Sequence, residues 1–134
     1  MSKARNFTRL LGPGVGDTIA PEAISGEETS VSITSTAGAA TIDLTSGLSF
    51  THTLSESVTY SFTNAPSSGT SLVFTLKVTQ DSTARTITWP ASVDWAAATA
   101  PTLSVGSGEV DVFTFFTVDG GTNYYGFTSG QAMG

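Results

Sequence analysis

From Val31 to the C-terminus, apolar and polar residues alternate in short runs, the period of a strand with one face turned inward. Val31 and Ile33 open the pattern, and Ala37-Gly38 turns the chain. Ile42 and Leu44 follow, then a turn at Ser46-Gly47. Leu48, Phe50, His52 and Leu54 are spaced by two, as are Val58, Tyr60 and Phe62. A loop is expected at Ala65-Pro66-Ser67-Ser68-Gly69 from its composition. Leu72, Phe74, Leu76 and Val78 make the cleanest strand, with Lys77 on the other face. A short strand runs from Arg85 to Trp89 and stops at Pro90, and the segment from Ala91 to Gly108 reads as irregular.

The chain closes on a hairpin. Val110, Val112, Phe113, Phe115 and Phe116 place apolar residues on both faces, which predicts a central strand buried on two sides. Asp119-Gly120-Gly121 supplies the residues that a tight hairpin turn requires, and an aromatic strand through Tyr124, Tyr125 and Phe127 returns. About eight strands with turn signals every 8–12 residues predict an all-β fold, an antiparallel β-sandwich of jelly-roll-like winding, over residues 31–134.

Residues 1–30 differ. Ser2 is a candidate N-cap, and Phe7, Leu10 and Leu11 fall on one side of a short predicted helix that Gly12-Pro13-Gly14 ends. Isolated helices below roughly 12–15 residues are marginal in water, so this arm calls for a partner surface. An extended connector leads from Gly12 to about Ser30.

Composition sharpens this division. The chain of 134 residues has a net charge of −6 and no cysteine, and only 12% of its residues are charged. A single domain without disulfides or thiolate metal sites follows. Five basic residues cannot neutralise a phosphate track, which argues against nucleic-acid binding. Three of them, Lys3, Arg5 and Arg9, lie in the arm, making a basic leading end on an acidic body. No run is long enough to span a membrane, and the leading end lacks the apolar stretch of a secretory signal.

Little suggests catalysis. His52, the single histidine, shares parity with Phe50 and Leu54 and reads as a core-edge or interface residue. Asp81, Asp94, Asp111 and Asp119 are isolated acids beside turns, not a calcium loop or a defined carboxylate pair. Asp111 is expected at a sheet edge or beside a basic group. The glycine-rich segment Gly12 to Gly16 has neither a preceding strand nor a following lysine, so it is a joint and not a phosphate loop. No Gly-x-Ser-x-Gly elbow occurs. Trp89, Trp95, Tyr124 and Tyr125 could stack on sugar rings or fill an interface, against a reading in which the tryptophans cap the core.

Three segments together resemble a module of tailed-bacteriophage virion proteins: Thr86-Ile87-Thr88-Trp89-Pro90-Ala91-Ser92-Val93-Asp94-Trp95, Ala100-Pro101-Thr102-Leu103, and Val110–Phe116 with Asp119–Thr122. The module is found in head-decoration proteins and at the C-terminus of tail fibres. The opening Ser2–Asn6 is similar to the leading segment of such fibres. Fibres carry a shaft that this chain lacks, and the pattern often has a second tryptophan where Tyr124 or Tyr125 stands.

The resemblance implies a non-enzymatic virion protein without cofactor or metal, made in the host cytoplasm. A capsid decoration or cement protein is the first expectation, homotrimeric and docking on the major capsid protein or another virion protein. Lys3, Arg5, Phe7, Arg9, Leu10 and Leu11 would do the docking. The alternative is a tail-fibre or tail-tip module recognising host glycan through Trp89, Trp95, Tyr124 and Tyr125. An envelope-sugar depolymerase is a third reading, without a carboxylate constellation behind it.

Overall fold

The structure, a computed structural model, describes residues 28–134. The predicted helix and all six docking residues, with the rest of residues 1–27 of the predicted arm, lie outside that range. Nine strands follow in order: β1 (Val31–Ser32), β2 (Ala39–Asp43), β3 (Ser49–Thr53), β4 (Val58–Thr63), β5 (Leu72–Thr79), β6 (Ile87–Thr88), β7 (Val93–Trp95), β8 (Val110–Thr117) and β9 (Tyr124–Met133). A single 3-10 turn, Ala96–Ala98, is the sole helical element among the described residues. The fold is all-β, in two sheets.

One sheet has six strands in the order β1-β3-β5-β8-β9-β7, and the other has three, β2-β4-β6. Up to β6, successive strands alternate between the sheets. A strand in one layer arches over into the other and then returns, so the second arch restores the original direction. Neighbours two apart in sequence therefore run parallel: β1 with β3, β3 with β5, β2 with β4 and β4 with β6. β7 also pairs parallel with β9. Apart from an isolated bridge between Thr36 and Ala39, antiparallel pairing is confined to β5–β8 and β8–β9 among the described residues.

This corrects the expectation of an antiparallel, jelly-roll-like winding. Period-two alternation marks which side chains turn inward, but it is the same for a parallel or an antiparallel neighbour. Strand β7 is a further correction, because it forms inside the stretch expected to be irregular.

The core sits between the layers. Inward residues of the six-stranded sheet fall in register as Phe50, Leu76 and Phe113, and as His52, Val78 and Asp111. Phe74, Phe115 and Gly126 make a third row. From the opposite sheet, Phe62 sets its ring edge-on to Phe74, Phe115 and Tyr124 at 5.1–5.2 Å. Tyr60 stacks on Trp89 at 5.6 Å. Edge-to-face and offset pairs of this kind add to the stabilisation from area burial alone.

β8 is central, as expected, but it is buried on one face. Phe113, Phe115 and Thr117 are sealed, whereas Val110, Val112, Thr114 and Phe116 are half-buried on the outer face. No third layer covers that side among the described residues. The closing turn follows its sequence signal, with Gly120 at φ 74° and Gly121 at φ 78°. Asp119 accepts hydrogen bonds from the backbone and side-chain amides of Asn123. These bonds hold its carboxyl below the usual carboxylate range.

Candidate functional site

The chemistry-bearing residues divide between the interior and one end of the outer face. His52 is 3% exposed, and its Nδ1 shares a hydrogen bond of 2.6 Å with the Tyr60 hydroxyl. Burial pushes the imidazole below its ordinary value of 6.5, and the nearby Glu56 charge only partly opposes this. Burial also raises the Tyr60 phenol. Both groups are therefore neutral at pH 7 and serve the core.

A stability prediction follows. The unfolded chain protonates His52 near pH 6.5 while the folded chain resists, so the unfolded state binds more protons below that point. Stability should be fully present above pH 6.5 and fall as the pH drops towards the lowered folded value. Urea midpoints at pH 7.5 and 5 should differ, and His52→Gln should flatten that slope. An equal slope in the variant would assign the effect to other groups.

Asp111 corrects the sequence expectation most sharply. It is 3% exposed and has no basic partner among the described residues. Its carboxylate accepts from the Ser104 backbone N–H at 2.8 Å, the Ser104 hydroxyl at 2.6 Å and the Ala132 N–H at 3.1 Å. Gln80, also buried, reaches from β5's end to the Arg85 and Ser104 carbonyls. Asp111 thus fastens the segment after Pro101 to the end of β9. Its shared parity with Phe113 and Phe115 is the signal that would have placed it inward.

The remaining acids are Asp81 and Asp94. Asp81 pairs with Arg85 at 2.9 Å, and this bond lowers its carboxyl. Asp94 is exposed and makes no hydrogen bond or ion pair among the described residues.

Of the four aromatics considered for surface contact, three turn inward. Trp95 is 9% and Tyr124 3% exposed, while Trp89 is half-buried against Trp95 and Phe113 at 5.3 and 5.0 Å. The core-capping reading of both tryptophans holds, because Gly126 leaves room for the Trp95 ring. A Cβ there would lie 2.7 Å from that ring. The buried Trp95 indole N–H has no hydrogen-bond acceptor among the described residues.

Tyr125 is open at 43%. With Asp94, Phe127 and the Trp95–Gly126 backbone pairing, it borders a depression of ≈ 280 Å³ on the six-stranded sheet. Phe127, 56% exposed, was not singled out from the sequence, although it shares Tyr125's parity. A second depression of ≈ 210 Å³ lies between Arg85–Ile87 and Pro101–Val105. Among the described residues, no group of three or more histidines or acids is placed to hold a metal ion. No protein-family model matches the chain, and no curated protein or solved structure is similar to it.

Proposed function

We propose that the chain is a non-enzymatic structural protein of a tailed-phage virion, a capsid decoration or cement protein. In this reading residues 2–11 dock on the major capsid protein, and the body, a two-layer sandwich, associates as a homotrimer on the shell. The sequence resemblance supports it. The observation from the structure that carries it is the use of the titratable groups. His52, Asp111, Asp119 and Asp81 are engaged in internal hydrogen bonds, while seven large apolar side chains lie open on the body. Such a molecule is equipped for contact.

The acidic body would leave shell attachment to the basic arm. Burying Phe7, Leu10 and Leu11 at a seam would contribute about 1.5–3 kcal/mol each. Repetition over symmetric sites would raise the effective affinity. Deleting residues 2–11 should leave the body folded, with an unchanged melting temperature, and abolish binding to expanded capsids. Normal occupancy by the truncated protein would overturn the reading.

The tail-fibre alternative retains one observation in its favour, the open Tyr125 ring. Three of its four aromatic contacts are committed to the core.

A further inference from the structure

The outer face of the six-stranded sheet ends in a group of residues that the arm-docking reading does not use. Asp94 of β7 stands in register with Tyr125 of β9, and Phe127 lies two residues further along the same face. Side chains at that spacing are about 7 Å apart along a strand, so the two rings stand side by side. Phe116 of β8 supports the Tyr125 ring from the next strand, with centroids 6.2 Å apart and a tilt of 31°. Asp94, Tyr125 and Phe127 thus form an aromatic shelf with a carboxylate at its rim.

The shelf is rigid from beneath. The Trp95 ring presses against Gly126, between the two exposed aromatics, so closely that a methyl group could not be added there. β7 stops at Trp95, and Ala97 and Ala98 take φ of 54° and 52°. The edge of β9 beyond Gly126 is left open where β7 ends, and this opening is the depression. A preformed site of this kind requires little ordering when a ligand enters.

Its chemistry is selective. The depression has two aromatic faces and one carboxylate free of partners among the described residues, and no basic residue lines it. Phosphates, sulfates and acidic sugars would meet Asp94 with like charge. A cation would suit the charge, but an ammonium site encloses its ligand with rings on several sides, and this shelf is open. Beside Phe127, the hydroxyls of Thr114 and Ser129 pair at 2.7 Å and offer both donors and acceptors. Flat apolar faces combined with hydrogen-bonding groups of both kinds match a pyranose ring, which has a C–H face and a rim of hydroxyls.

We propose that this depression binds a neutral hexose-containing glycan, with the sugar's C–H face on Tyr125 and Phe127 and its hydroxyls donating to Asp94. The site belongs to the body, so it stands or falls separately from the docking of residues 2–11.

The test is a titration of the isotope-labelled full-length protein with neutral tetrasaccharides of glucose, galactose and mannose, read by amide NMR. Saturable shifts are expected at residues 94–96 and 124–128. Phe127→Ala and Tyr125→Ala should each weaken binding by about tenfold or more, and Asp94→Asn by several-fold, without a change in melting temperature. Thr41→Ala, on the outer face of the opposite sheet, should leave binding unchanged. Four outcomes would overturn the proposal: no saturable shift with any sugar, shifts centred elsewhere, tighter binding of tetramethylammonium, or loss of an oligomer in Phe127→Ala. The last would show that a second copy covers this face.

Discussion

Replacing Phe115 by alanine is expected to destabilise the protein by about 3–5 kcal/mol. Phe115 is fully buried and lies where the two sheets meet. Its ring stacks on Phe74 with centroids 5.0 Å apart and a tilt of 22°, and it meets Phe62 at 5.1 Å. Trp89 and Trp95 close the other side at 5.5 and 5.7 Å. Truncation would remove the shared neighbour of four aromatic rings drawn from different strands and loops. Rigid rings held by that many elements cannot collapse into the space, so the cavity term adds to the lost transfer energy. Against a total stability of roughly 5–15 kcal/mol, the loss is large enough to unfold a substantial fraction of molecules. Urea denaturation gives the measurement, and Phe127→Ala on the outer face is the matched control, expected within about 0.5 kcal/mol of the parent. A loss below about 1 kcal/mol for Phe115→Ala would mean that the aromatic cluster is not the core of the fold.

Asp111→Ala should cost on the order of 3 kcal/mol, as hydrogen bonds to a charged group contribute about 1.5–3 kcal/mol. The Ser104 hydroxyl can rotate to another acceptor, and the Ala132 amide also donates to the Ser104 hydroxyl oxygen at 2.9 Å, so the Ser104 amide is the donor that loses its acceptor. Asp111→Asn tests the interpretation, since it keeps the shape and one acceptor oxygen while setting an amide donor against a backbone donor. It should be destabilised too, by less than alanine. Hydrogen exchange should show the damage locally, in the segment after Pro101 and at the end of β9, before global unfolding. A neutral Asp111→Asn would indicate that the Ser104 amide finds another partner.

Neither substitution lies in the arm, yet both bear on how far the sequence speaks. Phe115 was readable as core from the run of β8. Asp111 was not, because an acid two residues before Phe113 suggests an edge or an ion pair unless parity outweighs charge. Parity prevailed because three neutral donors converge on the carboxylate, and Ser104 and Ala132 come near it only once the chain has folded.

The candidate site shows the same division. Tyr124 and Tyr125 are equivalent by type, and alternation requires one to face inward without saying which. The contact of Tyr124 with Phe62 and Phe74 decides the matter, and it turns Tyr125 and Phe127 outward. Residue type leaves Trp95 open to a surface or a core-capping role. Pairing of β7 with β9 sets Trp95 opposite Gly126, whose missing side chain leaves room for the indole in the core.

By itself, the sequence determined the all-β class, the turns at Ala37-Gly38 and Asp119–Gly121, and the inward parity of Phe50, Phe74 and Leu76. These are local properties, since backbone sterics and period-two alternation act within a few residues. Tertiary structure alone decided that the first six strands wind through two layers with parallel neighbours, that β8 is covered on one face, and that Asp94 and Phe127 meet beside Tyr125. Those outcomes depend on which segments share the core, and that choice is settled by packing between residues far apart in the chain, which no local pattern encodes.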